Sequence, residues 1–412
     1  MKKQFVLITL LIMVWTLSVS GESLMIPENT VAIESQAFYN DKGVVEVIFP
    51  DSLLRIGSLA FAGTGLTYVT LTGNLEEIAP DAFDGEVIFS APPGSYAAQW
   101  IADNNRLASQ DPPQELEYEA DEADPRGRIV ITGYTGTETE LILPDAIGSV
   151  PVYRIGESAF ANNSNLVSVS LPKHLEAIDE NAFHSCDNLT ELILPDTVSR
   201  IGAHAFANCS AMTKLLLPEA LDTFGDGAFQ NCTGLTEISI SVSARNTANT
   251  FNGVNSVTTI HYLKGSDGVM PDYTDSTQQQ NSRIEHICRQ TLTSVIFSEG
   301  ISHIGNYAFY SIDNQYMITS VNLPSSLRSI GANSFSYLTH LTSLVLPEGL
   351  QCIGPEAFRN SALEQVTYPG SLESIGDYAF FHCSSLPVPH LPDSVTIGED
   401  AFAECLSEEP EE

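Results

Sequence analysis

The stretch LTELILPDTVSRIGAHAFANC at residues 189–209 contains the pattern that determines the fold of this chain. Close copies are LVSVSLPKHLEAIDENAFHSC at 166–186 and LTSLVLPEGLQCIGPEAFRNS at 341–361. In every copy a Phe follows Ala or Ser, and these phenylalanines recur at positions 38, 61, 83, 160, 183, 206, 229, 309, 335, 358, 380 and 402. Within each block the steps are 22–26 residues. The chain is therefore a tandem repeat, which changes any estimate of domain number made from its length.

Each part of the repeat has a structural role. In LxxLxLP the last apolar positions alternate with polar neighbours, which predicts a strand with one buried face, and the Pro ends it. The next piece, Val/Leu-x-x-Ile-Gly, predicts a second short extended segment whose Gly allows a tight bend. Ala-Phe-x-x-Cys spaces its apolar residues as one helical turn would. A single coil cannot bury its Leu, Ile and Phe, whereas stacked coils share a continuous core.

We therefore expect a leucine-rich-repeat solenoid of stacked, roughly 23-residue coils. A parallel β-sheet should cover one face, with short strands or helical turns on the other. The LP…IG..AF..C pattern resembles the BspA-like leucine-rich repeats of bacterial surface and secreted proteins. The resemblance covers almost all of the chain and weakens at 84–128 and 241–290. It implies a bacterial surface or secreted protein that binds host extracellular or cell-surface proteins, hence a role in adhesion.

The first 21 residues have the features of a secretory signal peptide. Lys2 and Lys3 precede a mostly apolar stretch at 5–17, and small residues follow at 18–21. An apolar stretch of this length is typical of a signal peptide and is too short to span a bilayer. No later segment has the apolar length of a membrane span. We expect an exported protein, secreted or associated with the cell surface.

Breaks in the repeat divide the chain into segments. The predicted segments are a signal peptide (1–21), a first repeat array with a helical end cap (22–107), an acidic Pro-rich linker (108–126), a second array (127–240), degenerate coils with an inserted loop (241–290), a third block continuous with the second (291–405) and an acidic tail (406–412). The linker is assigned from its low apolar content, which is insufficient for a packed core.

The chain is strongly acidic, with 52 Asp and Glu against 17 Lys and Arg and a formal net charge of −35. Such a surface repels phosphate backbones and anionic membranes, so nucleic acid and lipid are poor partners. It suits solubility outside the cell and would attract cationic partners. Acidic runs are nevertheless most often only solvated.

The cysteines follow the repeat. Five of the seven lie three residues after a repeat Phe, at 186, 209, 232, 383 and 405, where a small apolar core residue fits. Other repeats have Asn, Thr or Ser there, so no partner thiol is missing. No CxxC or Cys–His cluster has the spacing of zinc ligands. We expect free buried thiols, no metal site and no cofactor.

No catalytic constellation can be recognised. The nine His residues occupy variable repeat positions, and none is placed by sequence beside a Ser or Cys nucleophile. Cys–His catalysis needs a partly exposed thiolate, whereas the repeat cysteines are expected to be buried. Almost every regular residue is assigned to a coil, which leaves no room for an enzyme domain. We expect a non-enzymatic protein with no catalytic residues.

Candidate partner-binding residues are those that flank the buried middle residue of each strand and point outward. One outward column carries apolar side chains, and an apolar stripe on an acidic protein often marks a protein contact. Strand propensity of β-branched residues explains the same stripe without any partner. Ser239 is expected to point outward as well. The candidate residues are Glu191, Ile193, Lys214, Leu216, Glu237, Ile296, Asn322, Val345 and Thr367.

Two functions remain open. The first is a secreted or cell-surface protein that binds another macromolecule, most simply a host protein, through its sheet. The alternative is an envelope scaffold or glycan-binding protein that self-associates. A glycan reader should carry aromatic platforms on the sheet, for which Tyr68 and Tyr368 are the nearest candidates.

Overall fold

The fold is that of a solenoid. The computed structural model describes residues 24–85, 87–104, 107–108, 112–221, 223–244, 249–273, 284–310 and 316–406. It contains about 15 stacked turns in total, with parallel sheets and little helix, which confirms the leucine-rich-repeat solenoid predicted from the sequence. The chain divides into two compact units, 1–110 and 111–412, which are described separately. The predicted signal peptide (1–21) and all but the first residue of the predicted tail lie outside the described residues.

The first unit consists of short strands and one helix. These are β1 (Leu24–Met25), β2 (Ala32–Ile33), β3 (Val47–Ile48), β4 (Arg55–Ile56), β5 (Tyr68–Thr70), β6 (Glu77–Ile78), β7 (Ile88–Ser90), α1 (Tyr96–Asp103) and β8 (Leu107–Ala108). The sheets are β1-β3, β2-β4-β6 and β5-β7-β8, all parallel. The Ser95 side chain caps α1 by accepting a hydrogen bond from the Ala98 N–H. Trp100 of α1 packs edge-on against Phe83 and Phe89 and so covers the apolar interior of this unit.

The second unit is longer. Its elements are β9 (Leu116–Ala120), β10 (Ile129–Tyr134), β11 (Glu140–Ile142), β12 (Ala146–Ile147), β13 (Val150–Ile155), β14 (Ser168–Ser170), β15 (Ala177–Ile178), β16 (Glu191–Ile193), β17 (Arg200–Ile201), β18 (Lys214–Leu216), β19 (Glu237–Ser241), β20 (Thr259–Leu263), α2 (Ile284–Ile287), β21 (Ser294–Phe297), β22 (His303–Ile304), β23 (Ser320–Asn322), β24 (Ser329–Ile330), β25 (Ser343–Val345), β26 (Cys352–Ile353), β27 (Gln365–Thr367), β28 (Ser374–Ile375) and β29 (Thr396–Ile397).

Eight strands of the LxxLxL face of this unit form one parallel sheet, in the order β11-β14-β16-β18-β19-β20-β21-β23, which we name the front sheet. β25 and β27 form a separate parallel pair. Most of the Ile-Gly segments lie in two further sheets. One has the order β9-β10-β13-β15-β17 with β12 paired to β13, and the other has the order β22-β24-β26-β28-β29. The predicted division into a strand face and a face of shorter strands therefore holds for this unit.

A stack of phenylalanine rings fills the interior between these sheets. In the second unit Phe160 and Phe183 stack with centroids 4.9 Å apart, and the series continues to Phe251. It resumes from Phe309 to Phe402 with spacings of 5.1 to 5.5 Å. These spacings are set by the distance between neighbouring strands, about 4.8 Å. Each ring is thus removed from water by the rings above and below it.

The segments around each repeat Phe are consecutive turns and not helical turns. The N–H groups of Asn181, Phe183 and Ser185 donate to carbonyls of the next coil, while those of His184 and Cys186 donate within their own coil. Asn181 and Ser185 have positive φ angles of 55° and 56°, which interrupt any helix at every fourth residue. The apolar spacing of Ala-Phe-x-x-Cys is compatible with a helix. In a helix, however, these N–H groups would bond within their own coil, whereas the turn conformation directs them to the next coil.

The Gly of the Ile-Gly pair is required for close packing between coils. A Cβ atom on Gly225 would lie 2.1 Å from the backbone N of Ala203, and one on Gly354 would lie 2.7 Å from the N of Ala332. Neither glycine has a positive φ. The tight bend expected from the sequence is thus not the reason for these glycines; the backbone of the preceding coil occupies the space that a side chain would need.

The interpretation of 108–126 as a linker is wrong for its second half. Leu116–Ala120 forms β9, which pairs antiparallel with β10, and Leu116 is buried. The strand forms because the N–H and C=O groups of β10 would otherwise lack partners on that side. Pattern reasoning missed it because four of its five side chains are exposed.

The segment predicted as degenerate coils at 241–290 contains a regular coil. Phe251 stacks on Phe229 with centroids 5.4 Å apart, and all five residues of β20 pair with β19. An Ala or Ser before Phe251 would have revealed this coil in the sequence, but Thr250 stands there. The predicted inserted loop falls largely on 274–283, outside the described residues.

Candidate partner-binding face

The register of the front sheet arranges its side chains in columns. The middle residues of its strands, from Leu141 to Val295, are buried and form the inner column. On the outer face, a first outward column contains Glu140, Ser168, Lys214, Glu237, Thr259, Ser294 and Ser320, and the backbone of Glu191 lies in register between Ser168 and Lys214. A second outward column contains Ile142, Ser170, Ile193, Leu216, Ser239, His261, Ile296 and Asn322.

The structure brings several of the predicted residues side by side. Ile193 is the register partner of Leu216, and Ile296 is the partner of Asn322. Val345 and Thr367 are partners on the separate β25-β27 pair. Lys214 and Glu237 are neighbours in the first outward column. The backbone of Glu191 pairs with Lys214, but the Glu191 side chain lies outside the described residues.

The apolar members of the second column are unevenly exposed. Ile193 is 63% exposed and Val345 is 69% exposed, whereas Leu216 and Ile296 are half-buried. Ser239 is only 7% exposed, so its predicted outward exposure is wrong. Its small side chain lies between the larger Leu216 and His261 side chains in the register. The apolar positions are thus separated patches within one column.

A charged cluster lies at the centre of the front sheet. The Lys214 Nζ is 2.9 Å from the Glu237 Oε1, and the His261 Nε2 is 3.3 Å from the same oxygen. All three side chains are partly exposed, so the pairs contribute at most about 1 kcal/mol to stability. Their main effect is to fix the direction of the Glu237 carboxylate between two donors.

Two residues of this face were missed by the sequence reasoning. Ile142 is 65% exposed and begins the second column. Its signal was present, because ELILP at 140–144 is identical to ELILP at 191–195. His261 was missed because its coil was interpreted as degenerate.

Of the two tyrosines named above as candidate aromatic platforms for a glycan, Tyr368 does not form one. Tyr368 packs edge-on against Phe380 and Phe402, and burial raises the pKa of its hydroxyl. It is therefore part of the interior. Tyr68 is half-buried in β5 of the first unit.

The repeat cysteines have the chemistry of core residues. Cys186, Cys209 and Cys232 are free and buried, and each donates its S–H to the carbonyl of a Phe in the preceding coil. Burial raises the pKa of Cys186 and of Cys232 to about 12. A thiol in this state is neutral at physiological pH and is a poor nucleophile. Cys352 on β26 is exposed.

The described residues contain neither a metal-binding cluster nor a membrane-spanning helix. No group of three or more His, Cys, Asp and Glu in that part of the chain is arranged to hold a metal ion. None of its helices combines the length and apolarity needed to cross a membrane.

Fold and face together define a repeat-built scaffold of the leucine-rich-repeat class, whose proteins are generally non-enzymatic. The profile of the BspA type leucine rich repeat region matches the chain in six copies, over residues 16–88, 152–268, 286–387 and 313–409. The chain belongs to this family. Its members are often surface proteins. No curated protein matches the chain.

Solved structures with the same kind of repeat include three bacterial proteins. A leucine-rich repeat protein of T. pallidum is 22% identical, covering 56% of this chain and 91% of its own, with a TM-score of 0.35. One from Bacteroides ovatus is 20% identical, covering 90% and 76%, with a TM-score of 0.33. A leucine rich cell surface protein of Faecalibacterium prausnitzii is 20% identical, covering 71% and 97%, with a TM-score of 0.28.

Proposed function

We propose that this chain is a non-enzymatic protein, secreted or held at the bacterial surface, that binds a host extracellular or cell-surface protein through its front sheet. The observation that carries the proposal is the second outward column. It presents the exposed Ile142 and Ile193 and the half-buried Leu216 in one line along a parallel sheet. Single exposed apolar residues are ordinary on protein surfaces. Several of them in one column form a surface suited to contact with another protein. A repeat scaffold can combine many modest contacts along such a column.

Charge supports a partner with a basic surface. The chain has a net charge of −35, and acidic proteins attract cationic partners over several ångströms before contact. Electrostatic complementarity of this kind accelerates association and suppresses contact with anionic surfaces. Apolar residues of the column would then supply the short-range contacts.

The test is binding of the chain without residues 1–21 to immobilised epithelial extracellular matrix. The double variant Ile193→Asp, Leu216→Asp should lower the affinity roughly tenfold or more, because charges would replace apolar contacts at the centre of the interface. A matched control is Val388→Asp, Ile397→Asp, which changes the charge equally at two exposed apolar positions outside the front sheet. Equal loss in both variants, or no loss in either, would contradict the proposal.

Self-association is the competing function, and the same variants test it. Light scattering at micromolar concentration reports whether the protein is monomeric. Assembly that is abolished by the front-sheet variant and kept by the control would favour the scaffold function instead.

A further inference from the structure

The front sheet opens at one place. Its hydrogen-bonded ladder ends at β23, and β25 pairs with β27. At this break Val321 and Leu323 are half-buried, although the residues at their positions in the described coils from β11 to β21 are buried. A break also lies between β3 and β5 in the first unit, but there Val47 and Val69 stay buried. Val321 and Leu323 are thus core-position side chains that remain partly accessible beside β23, as Val366 of β27 and the adjacent Tyr368 do.

A shallow open groove of about 710 Å³ occupies this opening. Val321, Leu323 and Val345 provide apolar surface, and Val345 is largely exposed. Ser, Thr and Asn side chains of β23 and β25 provide polar surface, and two carboxylates, Glu299 and Glu348, complete the lining.

The Glu299 carboxylate is held in place. One of its oxygens accepts a hydrogen bond from the Ser325 N–H at 2.9 Å. The other accepts from the Ser325 hydroxyl at 3.0 Å and from the Ser326 N–H at 3.2 Å. These bonds, led by the one from the Ser325 backbone, lower the pKa of Glu299, so it is an anion at neutral pH. Glu348 is exposed.

The lining residues that the structure describes include no Lys, Arg or His. Arg328 lies outside the lining and donates from its Nη1 to the carbonyl oxygens of Ser325 and Leu327 at 3.1 Å each, which leaves its positive charge in place. Two lining carboxylates against this one nearby cation leave the groove with apolar walls and a net negative charge.

We infer that this groove receives a long basic side chain, lysine or arginine, from the partner protein. The aliphatic stem of such a side chain packs on apolar surface while its charged end stays near water and carboxylates. Here the stem lies against Val321, Leu323 and Val345, and the cationic end lies between Glu299 and Glu348. The inference rests on the proposed function and specifies the chemistry of the partner at one place on the same face.

The experiment titrates the chain without residues 1–21, labelled at Val and Leu methyl groups, with acetyl-Gly-Lys-Gly-amide. The matched probe has norleucine in place of lysine, which keeps the stem and removes the charge. We expect the methyl signals of Val321, Leu323 and Val345 to shift with the lysine peptide and not with the norleucine peptide. Glu348→Gln should raise the dissociation constant of the lysine peptide about threefold, the effect of losing one exposed ion pair. Glu364→Gln, an equal charge change outside the lining, should leave it unchanged.

Three outcomes would overturn the inference. Equal shifts with norleucine would show a purely apolar groove, and equal weakening by Glu364→Gln would show diffuse attraction. No shift with either peptide would show that the groove takes no such side chain. The front-sheet variant Ile193→Asp, Leu216→Asp should keep the peptide titration intact, so loss of matrix binding and failure of the groove are separate results.

Discussion

The rings of Phe183 and Phe206 lie parallel, 5.3 Å apart with an interplanar angle of 5°, although 23 residues separate them in the chain. Both rings are fully buried. The relationship recurs from coil to coil, so each Phe completes the packing of its two neighbours. Loss of one ring would leave a cavity bounded by two others, and close-packed interiors relax only partly around such a cavity.

Phe206→Ala should therefore lower the free energy of unfolding of the second unit by about 3–5 kcal/mol. Urea unfolding followed by circular dichroism measures the change. Phe381→Ala is the control, because Phe381 lies outside the stack and its ring is only half-buried. Its loss of unfolding free energy should be clearly smaller. Similar costs for the two variants would mean that the stack contributes little beyond ordinary surface contacts.

Gly354→Ala should destabilise the second unit by about 1–3 kcal/mol, the usual cost of overpacking. The added Cβ would come within 2.7 Å of the backbone of the preceding coil, and backbone cannot move aside as a flexible side chain can. Gly370→Ala is the comparison, because its Cβ would meet nothing within 4 Å. That variant should be neutral or slightly more stable, since it restricts the unfolded chain. Thermal unfolding of both variants distinguishes packing from backbone flexibility as the reason for Gly354.

Thiol labelling should separate Cys352 from the repeat cysteines. Cys352 is exposed and should react with a thiol reagent at pH 8 within minutes, whereas Cys186, Cys209 and Cys232 should react only after unfolding in denaturant. Peptide mass mapping after short labelling identifies the modified positions. Rapid labelling of Cys209 in the folded protein would contradict its burial.

Stability should fall in alkaline solution partly because of the buried thiols. Burial raises the pKa of Cys186 and Cys232 to about 12, against about 8.5 in an unfolded chain. A raised folded pKa gives stability that is fully present below pH 8.5 and is lost as the pH rises toward 12. The variant with Ala at 186, 209 and 232 should lose stability less steeply between pH 8.5 and 10.5. Parallel slopes for the variant and the original protein would exclude this contribution.

The spacing of the repeat predicts much of the structure, because equivalent residues of successive coils occupy equivalent positions in the stack. Phe183 and Ile193 could be placed inside and outside from their positions in the repeat alone. The burial of Ser239 could not, because it depends on a contact between adjacent strands, in which the Ser239 Oγ accepts a hydrogen bond from the Leu217 N–H. The opening beside Val321 also depends on how neighbouring coils separate, which no residue of the repeat encodes by itself.

Strand β9 has a consequence for the edge of its own sheet. A parallel stack ends in unpaired N–H and C=O groups, which invite another chain to continue it. Here the terminal strand runs in the opposite direction and carries Glu117 and Glu119, both exposed. An acidic segment added as a further strand at this edge would meet like charges. The strand thus opposes strand addition at its own edge of the sheet.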